Sequence, residues 1–322
     1  MIILDTAVTD RQNDFDQIWA FLTATHRATG SGQPPWVNAW SFCRFESWIV
    51  FSAPDDPAAL YDKLHLWRTL EGRLAGFAIT EGLGRDFHVV TDPELREAEP
   101  ALESTIVSWV ERSWPAEGQA WITYADAADA ARHAVLSALG YSPDGPSEII
   151  HTYDLERPRP SPALPSGYSI SSAAEDGDLH ERSRLISRIF HPERDPRTAP
   201  APVSQNKRSY DPDLDLVVRT PGGRQGVPTP VATAAGYINA TNRTAEIEPV
   251  GTHPAFRQRG LARAVVLAVF QRLRDRGIRW VHIASAPEPA VSNRLYTSLE
   301  PALQQHTIRW TKPRRNWEGL PR

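Results

Sequence analysis

The stretch Arg257-Gln258-Arg259-Gly260-Leu261-Ala262 decides the reading of this chain, because a helix begins inside it. Leu261, Val265, Ala268, Val269 and Leu273 recur at helical spacing, which predicts a helix over 261–276 with Gly277 as its C-terminal cap. The first N–H groups of such a helix have no partner within it, and the macrodipole behind them favours an anion. Gly260 lets a phosphate approach the backbone, and Ala262 keeps the first turn small. Arg257 and Arg259 add charge that can fork onto phosphate oxygens. Residues 257–262 therefore read as a pyrophosphate cradle.

Upstream lies Thr244-Ala-Glu246-Ile-Glu248-Pro-Val250-Gly-Thr252-His-Pro254. Strand alternation puts Glu246, Glu248 and Val250 on one face. Pro249 removes a ladder donor and Gly251 permits unusual backbone angles, which predicts a bulged or splayed strand end. A splayed strand leaves backbone groups that an amide-bearing ligand arm can pair as a pseudo-strand.

The same pattern occurs earlier in the chain. Gly72 to Ile79 and Val231 to Ile238 both read as a turn and strand, and 87–96 aligns with 248–257. Each copy continues into an amphipathic helix, a strand and a further helix, at an offset of about 160 residues, which reads as duplication. The proline-rich segment 157–166 separates the copies, since its prolines continue neither a helix nor a central strand. The expected organisation is 1–156, a linker at 157–166, and 167–322. The expected class is α+β, each copy a mixed, mostly antiparallel sheet flanked by helices.

Arg257, Gly260 and Ala262, preceded by the strand, His253 and Pro254, resemble the signature of the GNAT superfamily of acyl-CoA-dependent N-acyltransferases. The resemblance covers about 167–312 and, more faintly, the first half, and the tandem layout is similar to that of mycothiol synthase-like proteins. It implies acetyl-CoA as donor, with pantetheine slotted between two splayed parallel strands. By that resemblance, Val250, Gly251 and Thr252 contact the pantetheine, and Arg257, Gln258, Arg259, Gly260, Leu261 and Ala262 cradle the pyrophosphate. It implies Glu248 as the base for an attacking amine, with Glu246 on the same strand as the other candidate, and Tyr296 as the acid for the leaving thiolate. Asn293 is the asparagine expected at the cofactor, although the family position seven residues before the tyrosine holds Pro289. The activity implied is acetyl transfer to a primary amine of a small molecule by direct attack in a ternary complex. The alternative is a non-catalytic acyl-CoA-binding sensor or interaction module.

In the first copy the cradle reads Arg96-Glu97-Ala-Glu99-Pro100-Ala101, where Glu99 replaces the glycine, Glu97 adds a second carboxylate and Pro100 lacks an N–H, and Phe87 stands where the second copy has Glu248. Like charges repel a pyrophosphate there, so this half is expected to keep the fold without the cofactor. Trp36, Trp40 and Trp48, flanked by Trp19 and Trp67, read as core aromatics.

Composition fits this reading. At 41% apolar and 23% charged residues the chain reads as a globular protein, and a net charge of −4 argues against a broad nucleic-acid surface. Cys43 is the only cysteine, which excludes an intrachain disulfide and favours a packed thiol. The histidines lack metal-ligand spacing, so no metal is expected. The N-terminus carries no basic region ahead of an apolar run, and no apolar stretch approaches the roughly 20 residues that span a bilayer. The expectation is a cytoplasmic protein, monomeric or homodimeric, without nucleic-acid or membrane partners.

Overall fold

A computed structural model describes residues 3–7, 11–25, 40–52, 57–81, 86–114, 120–198, 203–222, 226–288 and 290–314. The elements run β1 (Ile3–Ala7), α1 (Arg11–Thr25), α2 (Phe42–Ser52), β2 (Leu64–Thr69), β3 (Leu74–Ile79), β4 (His88–Thr91), α3 (Pro93–Ala98), α4 (Leu102–Ser113), β5 (Ala120–Asp126), α5 (Ala130–Ala138) and β6 (Ser142–Asp154). They continue with β7 (Ser169–Ser172), α6 (Ala173–Asp176), α7 (Leu179–Phe190), β8 (Tyr210–Arg219), β9 (Pro230–Asn239), β10 (Thr244–Thr252), α8 (Leu261–Asp275), β11 (Trp280–Ser285), α9 (Ala290–Thr297) and β12 (Leu303–Pro313). Both sheets are mixed or antiparallel and flanked by helices, as the α+β expectation has it. The chain forms two compact units, one of Met1–Ser31, Pro35–Ile149 and Gln305–Arg322, the other of Gly32–Pro34 and Ile150–Gln304.

In the first unit β1-β2-β3-β4 make an antiparallel sheet, and β5 pairs antiparallel with β12. Its core gathers Trp67, Phe87, Leu102, Ile106, Val110 and Trp121 beneath α4. Trp40 and Trp48 are buried and meet edge-on, while Trp19 donates to Glu46 Oε1 at 2.8 Å. Trp40, Trp48 and Trp67 are core residues, Trp19 is half-buried, and Trp36 lies outside the described residues. Cys43 is fully buried, as a packed thiol should be. Among the described residues no helix is long and apolar enough to cross a membrane.

The second unit orders its strands β11-β10-β9-β8-β7, with β6 on the outer side of β11. Helix α8 lies on this sheet. Leu261, Val265, Ala268, Val269 and Leu273 all enter its core, as their spacing predicts. Val266, Leu267 and Phe270 are buried too, so the apolar face is wider than one stripe. The helix ends in a Schellman motif: Ile278 N–H bonds the Leu273 carbonyl at 3.1 Å and Gly277 N–H the Arg274 carbonyl at 2.9 Å.

Candidate active site

Strand β10 begins as the parallel neighbour of β11, pairing Thr244 with Trp280, Ala245 with Val281 and Glu246 with His282. There the parallel pairing ends. β10 continues along β9 to Thr252 opposite Ala232, and β11 runs on to Ser285, so the two strands part. A bulge marks the place: Ile247 faces Gly236, but the next pair is Val250 with Ala234. Glu248 and Pro249 occupy the irregular step, and Pro249 has no N–H for the ladder. The bulge and the splay are those read from the sequence.

The bulge corrects one expectation. Ala245 and Ile247 belong to the core under α8, and Val250 packs against that same core. The extra residue shifts the alternation, so Val250 leaves the face of Glu246 and joins that of Ile247.

After β10 the chain turns through His253, whose Nδ1 accepts the Ala255 N–H at 3.2 Å. Burial and the neighbouring arginines push this imidazole down from its ordinary pKa, consistent with an acceptor nitrogen. Arg257 Nε donates to the Thr252 carbonyl at 3.2 Å, and Arg259 Nη1 donates to the Tyr168 hydroxyl at 3.0 Å. Ala264 N–H closes the first helical bond onto the Gly260 carbonyl, leaving the N–H groups of Leu261, Ala262 and Arg263 ahead of it. Gly260 at the N-cap has no side chain to cap this end, and no other described side chain is seen bonded to it. Gly260 sits at φ 75°, and a Cβ there would meet nothing within 4 Å, so the space beside the free N–H groups is open. An acyl-CoA pyrophosphate fits such a start, because the uncapped dipole and a residue without a side chain leave it open, with Arg257 and Arg259 close by in the sequence. Gly251 has a different reason to be glycine: a Cβ would lie 2.5 Å from Ile189 Cγ2 on α7.

The two candidate carboxylates have different surroundings. Glu246 is half-buried on β10, in register between Tyr237 and His282, and His282 Nδ1 lies 3.0 Å from Thr152 Oγ1. Glu248 is exposed, and its Oε1 lies 3.1 Å from the ammonium of Lys207. The Lys207 side chain is only 1% exposed and lies 3.9 Å over the Tyr237 ring. This cation–π contact and ion pair hold a buried charge beside a candidate base. Sequence reasoning missed Lys207. The available signal was a lysine in a chain whose other lysines are only Lys63 and Lys312.

Tyr296 lies on α9 and is 6% exposed within the core, where burial pushes its phenol up to about 12. Among the described residues its hydroxyl has no hydrogen-bond partner. Asn293, by contrast, is committed internally. Its Nδ2 donates to the Ala286 and Pro287 carbonyls at 3.0 and 2.9 Å, and its Oδ1 accepts from Ser285 Oγ at 2.6 Å. The amide that the resemblance points toward a cofactor ties α9 to the end of β11. Pro289 lies outside the described residues.

The first unit treats the corresponding places differently. Among the described residues, Asp86, just ahead of β4, forms an isolated parallel bridge to Ile122 of β5. Just beyond it, the His88 and Tyr124 rings stack at 4.7 Å, with Trp40 edge-on to His88. Burial drives the His88 pKa well down, with Arg44 and Arg132 adding to it, so a neutral aromatic stack stands where those strands part. At the start of α4 the buried carboxylate Glu103 accepts from Arg132 at 2.8 Å and pairs with Arg96 at 3.2 Å. Arg96 also grips Asp129 with two bonds of 2.7 and 2.9 Å. The cations here are neutralised from within. Among the described residues no cluster could hold a metal ion.

Residues 184–299 match the Acetyltransferase (GNAT) family. A mycothiol acetyltransferase of Nocardiopsis dassonvillei is 36% identical over 69 residues, a stretch that spans 21% of this chain and 21% of that protein. Among solved structures, a GCN5-related N-acetyltransferase from Sphaerobacter thermophilus superposes with a TM-score of 0.63 at 21% identity, covering 99% of this chain and 98% of the other. A tandem GNAT protein from the clavulanic acid biosynthesis pathway gives 0.59 at 16% identity, covering 97% and 98%. A GNAT-family acetyltransferase from Colwellia psychrerythraea gives 0.59 at 9% identity, covering 97% and 100%. With nearly the whole chain superposed on these structures and 184–299 matched by sequence, the protein has the GNAT acetyltransferase fold in tandem.

Proposed function

We propose that the protein is an acyl-CoA-dependent N-acetyltransferase that moves an acetyl group from acetyl-CoA to a primary amine of a small molecule. The observation that carries this reading is the uncapped start of α8, open beside Gly260 and set directly after the strand that parts from β11. Residues 257–262 would hold the pyrophosphate and Val250 to Thr252 would offer main-chain pairing to the pantetheine, while Gly251 keeps α7 close. Asn293 serves this site by fixing α9. The donor supplies an activated thioester.

This chain's residues supply the proton traffic. Glu248 or Glu246 takes a proton from the acceptor ammonium, directly or through water, and frees its lone pair for attack. Tyr296, with its phenol near 12, stays protonated at neutral pH and can give that proton to the departing sulfur. Amine and acyl donor are bound together, so no covalent enzyme species is required. The tandem copies correspond to 1–156, which lost its cradle, and 167–322, which kept it, with 157–166 between them. The short likeness to a mycothiol acetyltransferase supports a small-molecule acceptor. The proposed setting is the cytoplasm, as a monomer or homodimer.

Thiol release from acetyl-CoA across a panel of amines tests the reading. Glu248→Gln and Glu246→Gln should separate the two carboxylates: the base should lose about 100-fold or more in kcat with acetyl-CoA affinity kept. Full activity in both variants contradicts a carboxylate base. Tight acetyl-CoA binding by the wild type without thiol release to any amine supports the non-catalytic sensor instead.

A further inference from the structure

Strand β6 supplies His151, Thr152 and Tyr153 to the second unit, each fully buried. These residues lie ahead of the proline-rich segment, in the half of the sequence without a cradle. His151 and Tyr153 share a face by strand periodicity, and both meet α9. The His151 ring lies 5.3 Å from the Tyr296 ring, inclined at 55°, and the Tyr153 hydroxyl donates to the Tyr296 carbonyl at 2.9 Å. Tyr153 in turn packs on Phe270 of α8 at 5.0 Å between ring centroids.

The hydrogen bonds around His151 fix its protonation. Asn293 spends both amide hydrogens on the Ala286 and Pro287 carbonyls, which turns Oδ1 toward Ser285 and His151. Ser285 donates to that Oδ1 at 2.6 Å, and His151 Nε2 lies 3.3 Å from both Oδ1 and Ser285 Oγ. An amide oxygen only accepts, and the serine proton is already committed, so Nε2 carries the imidazole proton. The bare Nδ1 then accepts from Gln304 Nε2 at 3.1 Å, and Gln304 Nε2 also lies 3.3 Å from Thr297 Oγ1. The imidazole is neutral, hydrogen-bonded at both nitrogens and fixed in orientation.

We propose that His151 and Tyr153 are positioning residues for Tyr296: β6 contacts the tyrosine by its ring and by its backbone, and so sets where the unpartnered phenol hydroxyl points. The first half of the sequence thereby completes the site whose cradle lies in the second half. This rests on the transferase reading, in which Tyr296 is the proton donor.

The test is a double-mutant cycle on the full chain, with His151→Phe, Tyr153→Phe and Tyr296→Phe, alone and paired. Its readouts are kcat and KM with a turned-over amine, acetyl-CoA affinity by calorimetry, and Tm. His151→Phe should lower kcat about ten-fold in the parent, with KM for acetyl-CoA changed less than about two-fold, yet less than about two-fold in the Tyr296→Phe background. Tyr153→Phe removes one hydroxyl and should show the same coupling at smaller size. Equal losses in both backgrounds overturn the proposal, because the effect would then not pass through Tyr296. So does unchanged kcat in both single variants while Tyr296→Phe is impaired. If Tyr296→Phe itself keeps full kcat, the assignment of Tyr296 as proton donor fails; if the wild type transfers to no amine, the transferase reading fails; either result removes the proposal.

Discussion

Tyr296→Phe should lower kcat about 100-fold, roughly 2.7 kcal/mol of barrier, and leave acetyl-CoA affinity within about two-fold. The substitution removes one hydroxyl and keeps the ring that packs against His151 and the core under α8. That hydroxyl has no protein partner among the described residues, so its loss breaks no bond and Tm should hold within a few degrees. A catalytic role and a packing role therefore give opposite patterns. A large kcat effect with native Tm marks a proton donor. Unchanged kcat makes Tyr296 a packing residue of α9, and the leaving sulfur must then take its proton elsewhere.

Gly251→Ala should destabilise the second unit by about 1–3 kcal/mol, the usual cost of forcing an added methyl into a packed site. The added Cβ would lie 2.5 Å from Ile189 Cγ2 and 3.3 Å from Phe190 Cζ. Ile189 is itself buried with Leu185 and Val217, so it cannot simply swing away. Either α7 retreats or β10 moves. Because β10 leads into the cradle, acetyl-CoA affinity should fall as well. Thermal denaturation with and without acetyl-CoA checks this. Native Tm with lost affinity would mean that the glycine faces the ligand rather than α7. Gly260→Ala is the contrasting case, with no clash to relieve and only the left-handed backbone angle, about 1 kcal/mol, against it.

Much of the architecture was legible where the determinants are local. Helix α8, its glycine cap and its uncapped start follow from periodicity and a few residues. The parting of β10 from β11 was announced by Pro249, whereas Gly251 is a glycine because of its packing on α7. What failed locally was phase. The pairing of Val250 with Ala234 depends on β9, and no pattern within β10 reveals which residue the bulge absorbs. Lys207 was hidden for a similar reason, since its partners Tyr237 and Glu248 lie on other strands. Asn293 was a natural candidate by position, but the bend at Ala286 and Pro287 claims its amide. His151 carries no local motif, and its partner Asn293 is 142 residues away. The proline-rich segment marks where the sequence repeats, whereas the compact units follow strand contacts, with 150–154 in the second and 305–313 in the first. Composition reports the chain's punctuation, and only long-range pairing decides where its strands go.

The central claim is that one open helix start, at Gly260, binds the acyl donor, while the first unit's counterpart is filled from within by Glu103 and its arginines. Calorimetric titration of acetyl-CoA into the wild type and into Gly260→Glu tests it most directly. The variant places a carboxylate beside the free N–H groups, where it repels the pyrophosphate and caps the helix in its stead. One site per chain in the wild type and none in the variant is the predicted result. Two sites in the wild type, or a site that survives the substitution, would contradict it.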